Sequence, residues 1–306
     1  MTRLAVISDI HGNSLALKAV LADLDAQGGD VHLIVLGDLV VYGPDPGGVL
    51  ALLRERGPAF YVSGNTDRYL VEERYRDSLS QPGWQAQVLS SFPWTAGQLG
   101  DAGLRFLAGL PPTQLLYFGR RHVVLAAHGS PRDDEENVRT DTPDADLVTM
   151  FGDLPYNLLL CAHTHQPFDR VVAGRRIVNV GSVGLPFDGD PRAGYALIDL
   201  QTGGGYQVSL RRVAYDVEAV VQQLLAVDHP AATVGAYNLR TARPLGQELI
   251  YPESMRNGNP GARHQNRNGT AGLGPDCPLR PTIPLASIAE QLDRLRALNP
   301  SLEGTR

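Results

Sequence analysis

An α/β fold built on a parallel sheet is the class this sequence predicts, and three observations carry the prediction. From Leu4 to Val62, short apolar runs alternate with segments of helical periodicity, the pattern of βαβαβ crossovers. Five apolar runs along the chain stop abruptly at Asp, Asn or His. In open α/β sheets, sites form just outside the carboxyl ends of the strands. Beyond His165, helical periodicity gives way to short paired strands around glycine turns.

Leu4-Ala5-Val6-Ile7 makes the first strand and runs into Ser8-Asp9-Ile10-His11-Gly12-Asn13. Side chains two apart on a strand share a face, so Asp9 and His11 reach one point if the chain stays extended. A carboxylate and an imidazole aimed at one point suit a divalent transition metal. Asn13 is placed to cap a helix whose Leu17, Val20, Leu21 and Leu24 share one face, and Gly28-Gly29 stops it. The second strand, Val31–Leu36, ends in Gly37-Asp38 and a loop to Pro46 rich in Gly, Pro and Asp. A helix around Gly48–Arg56 leads to the third strand, Ala59–Val62, which delivers Gly64-Asn65-Thr66-Asp67.

From Arg68 to Leu110 the chain reads as mostly helical. There Trp84, Val88, Leu89, Phe92 and Trp94 form an apolar cluster, expected to be packing rather than a substrate cap. Gln114–Phe118 and Arg121–Ala127 read as a hairpin over Gly119-Arg120, the second strand delivering His128-Gly129. The acidic run Asp133–Glu136 reads as a solvated turn with no metal role. A helix at Asp144–Phe151 precedes the strand Leu158–Cys161, which delivers His163-Thr164-His165. Two hairpins follow, Arg170–Ala173 with Arg176–Val180 and Tyr195–Leu200 with Tyr206–Val213. Between them, Asn179–Gly184 is a glycine-rich turn whose amides are candidates to cradle a phosphate, although a plain turn is the stronger reading. A helix at Val217–Ala226 closes the patterned part. From His229 to about Pro284 the chain is dense in Pro, Gly, Asn and Arg with little periodicity, including a basic stretch at Met255–Gly269 read as a surface segment. A last amphipathic helix is expected at Ile288–Leu298. The domain division is therefore 1–228, with a loop-rich extension at 229–306 that carries the terminal helix.

The 306 residues are 43% hydrophobic with a formal charge of −6, which argues against a protein-wide nucleic-acid or membrane footprint. A nucleotide substrate stays open, because bound metals would supply local positive charge. Cys161 and Cys277 lie far apart and make no disulfide framework. Together with a start that does not read as a signal peptide, this gives a cytoplasmic expectation.

The ordered series Asp9-x-His11, Gly37-Asp38-x4-Gly43, Gly64-Asn65-x-Asp67, His128-Gly129 and His163-x-His165 resembles the calcineurin-like metallophosphoesterase superfamily, and most of all its small bacterial and archaeal phosphodiesterases. The resemblance implies a four-layer α/β/β/α sandwich of two mixed sheets. It implies two divalent ions, Mn²⁺ first, with Fe, Zn²⁺, Co²⁺ or Ni²⁺ also suited to mixed N/O ligation. Asp9, His11, Asp38 and His165 would surround one ion, and Asp38, Asn65, His128 and His163 the other, with Asp38 placing an oxygen on each. The implied activity is hydrolysis of phosphodiesters, and conceivably phosphomonoesters, by metal-bound hydroxide acting on a small phosphoester or nucleotide. A phosphoprotein phosphatase is the alternative within that chemistry, and a weakly active metal-binding interaction module the alternative outside it. Thr66 stands where many members carry a histidine that assists the leaving group, so the general acid is unassigned. Asp67 is expected to orient a ligand histidine from outside the ligand set, or to cap a helix. The remaining histidines, His32, His122, His229 and His264, are read as structural.

Overall fold

The computed structural model describes residues 2–76 and 84–245. In chain order the elements are β1 (Thr2–Ile7), α1 (Ser14–Gln27), β2 (Val31–Val35), α2 (Pro46–Arg56), β3 (Ala59–Tyr61), α3 (Asn65–Val71) and α4 (Trp84–Ala108). There follow β4 (Thr113–Phe118), β5 (His122–Ala127), α5 (Asp144–Phe151), β6 (Leu158–Cys161), β7 (Phe168–Val172), β8 (Arg175–Asn179), β9 (Ala193–Leu200), β10 (Tyr206–Val213), α6 (Val217–Ala226) and α7 (Ala232–Thr241). Two mixed five-stranded sheets result, ordered β10-β9-β1-β2-β3 and β4-β5-β6-β8-β7. In the first, β1, β2 and β3 run parallel, with β9 antiparallel to β1; in the second, β5, β6 and β8 run parallel.

Strand alternation sorts the core into layers. Leu4 and Val6 of β1, Ile34 of β2 and the following Leu36 face the second sheet, where they meet Val124, Leu158, Leu160 and Val178. Their neighbours Ala5, Ile7, Leu33 and Val35 point the other way, onto Leu17, Val20, Leu24, Val49 and Leu53 of α1 and α2. On the far side, α5 packs on the second sheet at β7 and buries Leu147 and Phe151. The four-layer α/β/β/α arrangement is therefore present.

Local signals explain the element ends. The Asn13 carboxamide accepts a hydrogen bond from the Ala16 amide (3.0 Å) and starts α1. Asp45 does the same for Gly48 (2.9 Å), with Pro46 in the first turn, so α2 begins two residues earlier than the apolar pattern alone places it. Phe92 of α4 is buried in the helix-side core, in keeping with packing for that segment. Helix α7 falls within the stretch read as loop-rich. Its sequence is largely Ala, Thr and Gly with few large apolar residues, so its periodicity is faint, yet Leu239 packs with Val220, Val221 and Leu224 of α6. The terminal helix, the basic stretch, Cys277 and His264 lie outside the described residues.

Cys161 is buried in β6, where desolvation pushes its thiol above the ordinary range, in keeping with a core residue. His32 rests on Phe118, and His122 bonds the Gly205 carbonyl. His229 is buried edge-on to Trp94, with its Nδ1 accepting from the Ala231 amide. Burial lowers its pKa to about 4. The unfolded chain takes up this proton near pH 6.5 while the folded one resists until about 4. The stabilisation is thus whole above 6.5 and is lost as pH falls toward 4, about 3 kcal/mol over that window. Urea unfolding between pH 7 and 4.5 should show the His229→Gln variant losing less stability than the parent; equal losses would reject the assignment.

Candidate metal centre

All seven ligand candidates gather at one place, where the carboxyl ends of β1, β2, β3, β5 and β6 meet. The convergence begins with backbone zipping beyond the strands. The Asp9 amide donates to the Gly37 carbonyl (3.1 Å), His11 to Asp38 (3.0 Å) and Gly12 to Leu39 (2.9 Å). Gly43 closes this loop pair, since a Cβ there would sit 2.1 Å from the His11 carbonyl oxygen. A Cβ at Gly64 would lie 2.1 Å from Asp38 Oδ1, so that glycine is what lets Asn65 approach.

The extended reading of Asp9-x-His11 is corrected by the backbone. Asp9 and His11 are both left-handed (φ 49°), as are Asp38 (53°), His163 (64°) and His165 (57°). The chain coils at each strand end and turns alternate side chains inward, where extension would have kept them parallel.

Asp9 Oδ1 lies 3.2 Å from His165 Nε2 and 3.9 Å from both His11 Nε2 and His128 Nε2. Asp38 Oδ2 lies 3.7 Å from His11 Nε2 and 3.5 Å from His128 Nε2. Asp38 Oδ1 turns away and accepts the Thr66 amide (2.9 Å). This corrects the expectation that Asp38 gives one oxygen to each ion: Oδ2 alone faces both groups. Asn65 Oδ1 sits between His128 Nε2 (3.1 Å) and His163 Nδ1 (3.0 Å). Asp9, His11, Asp38 and His165 form one group, their ligand atoms within 4.8 Å of one another; of the second set that the resemblance implies, His128 Nε2 lies near Asp38 Oδ2 and Asn65 Oδ1, and His163 Nδ1 near Asn65 Oδ1.

Three of the histidines are fixed by carbonyl groups. Nδ1 of His11 meets the Val41 carbonyl (3.0 Å), that of His128 the Leu36 carbonyl (2.6 Å) and that of His165 the Leu185 carbonyl. A carbonyl can only accept, so each Nδ1 carries a proton, and with an ion bound each Nε2 would offer its lone pair inward. Nε2 of His11 and Nε2 of His165 then oppose each other at 3.3 Å. Both oxygens of Asp9 are buried without a hydrogen-bond donor. Opposed lone pairs around an unsolvated carboxylate are costly unless a cation lies among them, and borderline divalent ions take this O and N set. The residues fit the expected metals.

Electrostatics agree. Burial opposes ionisation throughout, and it lowers His11 and His163 to about 4. Against that burial, Asp38 raises His128 to about 10, and Asp9 raises His165. Both carboxyls are held below their ordinary range by facing imidazoles despite desolvation. The carboxylates gather whatever positive charge the cluster can supply.

Asp67 touches no histidine. Its carboxylate accepts from the amides of Asp38 (2.8 Å), Leu39 (3.0 Å) and Gly64 (3.1 Å), so it shapes the backbone that carries Asp38. Burial, then Asp38, raises it to about 7 against those three donors. Thr66 is buried and its Oγ1 has no partner.

Several supporting residues escaped the sequence reading. Asn179 donates to the Ala162 carbonyl (2.7 Å) and to Thr164 Oγ1 (3.0 Å), holding the His163–His165 turn. Ser182 Oγ donates to the Asp9 carbonyl (2.7 Å), which also takes the Gly184 amide, while the Val183 amide goes to Ser8. The Val183 and Gly184 amides thus position the ligand turns and are not free for a phosphate. The acidic run has a task as well: Asp134 takes both Arg68 Nε and Nη2 at 2.7 Å and Glu135 takes Nη2, tying α3 to the loop after His128. Tyr42 lies over His11 (ring centroids 5.3 Å) and crosses Phe92 at a steep angle, and Phe187 stacks on His165 (4.4 Å). Of these residues, Asn179 and Ser182 lie in the glycine-rich turn already singled out in the sequence, though not for this role.

Comparison with known proteins gives the same picture. A family description, the calcineurin-like phosphoesterase superfamily domain, matches residues 2–203. The uncharacterized protein MJ0912 of Methanocaldococcus jannaschii is 28% identical over 237 residues, 72% of this chain and 91% of that one. The crystal structure of a metallophosphoesterase from Sphaerobacter thermophilus is 28% identical, with TM-score 0.61, covering 78% of this chain and 98% of its own. The hypothetical protein PH1004 of Pyrococcus horikoshii shares the fold with TM-score 0.68 at 24% identity, over the same shares of the two chains. With the match covering β1 to β9 and every candidate ligand, the chain belongs to the calcineurin-like phosphoesterase superfamily.

Proposed function

We propose that this protein is a dinuclear metal-dependent phosphoesterase whose substrates are small phosphodiesters. One observation carries the reading: Asp38 Oδ2 faces His11 on one side and His128 on the other, between two complementary donor sets. Asp9, His11, Asp38 and His165 would hold one ion, and Asp38, Asn65, His128 and His163 the second. When bound, two divalent ions supply Lewis acidity toward a phosphoryl group and bring the pKa of a water down to about 7. Mn²⁺ is the ion proposed for the cell.

The protein's own part is to hold and orient. The Val41, Leu36 and Leu185 carbonyls accept from Nδ1–H of three imidazoles and so leave Nε2 as the atom that would hold an ion. Asp67 and the Thr66 amide fix Asp38. His163 keeps partial solvent exposure while the other histidines of the set are buried, so substrate enters on its side. Burial of the remainder excludes water and strengthens each charge interaction in the site. A small diester, nucleotide or otherwise, suits a centre whose histidines are covered by nearby rings.

The test measures hydrolysis of bis(p-nitrophenyl) phosphate and p-nitrophenyl phosphate, each with and without Mn²⁺. Faster metal-dependent turnover of the diester is expected. A preference for the monoester favours a phosphatase. No turnover of either by protein that retains its metal leaves an interaction module.

A further inference from the structure

Ten non-glycine residues among those described have positive φ, and their distribution is informative. Five are ligand candidates: Asp9, His11, Asp38, His163 and His165. Four others mark ordinary turns: Glu73 follows α3, Ala173 is in the β7–β8 hairpin, Asp228 follows α6 and Ala242 caps α7. The tenth is Tyr42, at φ 87°. A bulky aromatic residue is rarely found there, and such outliers persist where the surroundings impose them, often at active sites.

The surroundings of Tyr42 are those of the centre. It lies four positions beyond Asp38, its neighbour Val41 takes the His11 Nδ1 proton, and its other neighbour Gly43 closes on the His11 carbonyl. The ring is held between His11 (5.3 Å, 36°) and the edge of Phe92 (5.7 Å, 83°). Packing of this kind fixes where the hydroxyl sits. The residue nonetheless stays partly exposed, and none of the hydrogen bonds among the described residues uses its hydroxyl. Burial and, after it, the charge of Asp38 hold its phenol above the ordinary range, so the proton stays on the oxygen. A strained, wedged aromatic residue with an unengaged donor, on the ring that covers His11, is arranged to meet something that arrives from outside.

What arrives must be an acceptor. Among the described residues no arginine or lysine pairs with Asp9 or Asp38, and the arginine carried on α3, Arg68, is engaged by Asp134 and Glu135. Among the described side chains against the ligand set, Tyr42 thus offers a neutral donor to an anionic oxygen, in addition to what the proposed ions would supply. On the reading of the centre as a phosphoesterase, we propose that Tyr42 is a substrate-binding residue whose hydroxyl donates a hydrogen bond to a non-bridging oxygen of the phosphoryl group. The product, inorganic phosphate, presents the same oxygens and meets the same donor.

Tyr42→Phe keeps the ring on His11 and removes only the donor. The variant and the parent, both loaded with Mn²⁺, are compared for metal content, melting temperature, binding of inorganic phosphate by calorimetry, and hydrolysis of bis(p-nitrophenyl) phosphate. Metal content and melting temperature should be unchanged. Phosphate affinity and kcat/KM should both fall by about 10- to 100-fold, the size of one hydrogen bond to a charged group. Phosphate binding and turnover equal to the parent would overturn the proposal. So would loss of metal or a lowered melting temperature, which would place the hydroxyl in the scaffold. A parent that binds phosphate but hydrolyses neither ester would reject the phosphoesterase reading alone, and the calorimetric comparison would still decide the role of Tyr42.

Discussion

The Asp38→Asn variant is expected to fold and yet to lose metal at both positions, with affinity down by more than about 100-fold, the upper end for loss of a mere orienting partner. The geometry leaves the amide no good choice. Oδ1 takes the Thr66 amide and Oδ2 faces His11 and His128. With its oxygen outward, the amide turns an NH₂ toward both ligand groups; with its oxygen inward, it sets NH₂ against the Thr66 N–H. His165→Ala should weaken chiefly the group that contains Asp9. Elemental analysis after extensive dialysis reads both variants. Two tightly held ions in Asp38→Asn would mean that Oδ2 is not shared.

The second large effect concerns the leaving group. The Thr66 amide is committed to Asp38, and its hydroxyl is buried. Asp67 is buried under three backbone amides, so it reaches no substrate either. With neither of these side chains placed to protonate a departing alkoxide, turnover should depend steeply on leaving-group pKa. Alkyl diesters should forgo the roughly 10²–10⁴-fold that general acid help typically contributes. A series of aryl and alkyl phosphodiesters gives the slope. A shallow slope in the unmodified protein would show that a proton donor is present after all, and would sink this argument.

Much of this site was legible in the sequence because ligands must be particular residue types at strand ends. Asp9, His11, Asp38, Asn65, His128, His163 and His165 were visible as an ordered series, and the structure brings all seven together. What the sequence could not show is how the backbone aims them. Asp9-x-His11 suggests extension by side-chain alternation, whereas both residues adopt a left-handed turn that nothing in their identity requires. Asp67 was open to two readings, a partner for a ligand histidine or a helix cap; it caps α3 through the Gly64 amide and also takes the Asp38 and Leu39 amides, which its place in the chain does not announce. Arg68 and Asp134 are far apart in the chain, and their bidentate pairing depends on how α3 meets the loop after β5. In the fold, β1 to β3 were clear because short continuous apolar runs are set apart by helical segments and turn residues, while α7 was not, because small residues carry little periodic signal.

The division of donors between the sheets has a mechanical consequence. Asp9, His11, Asp38 and Asn65 follow strands of the first sheet, and His128, His163 and His165 follow strands of the second. Each proposed ion would take donors from both and so act as a cross-link. One such link, between His11 and His165, closes a loop of 154 residues. The entropy of closing a loop grows only with the logarithm of its length. A chain tied at that distance still gives up much of its unfolded freedom, and binding confined to the folded form adds stability with ion concentration. Catalysis and the joining of the two sheets would then rest on the same few atoms, and a chelator would act on both together.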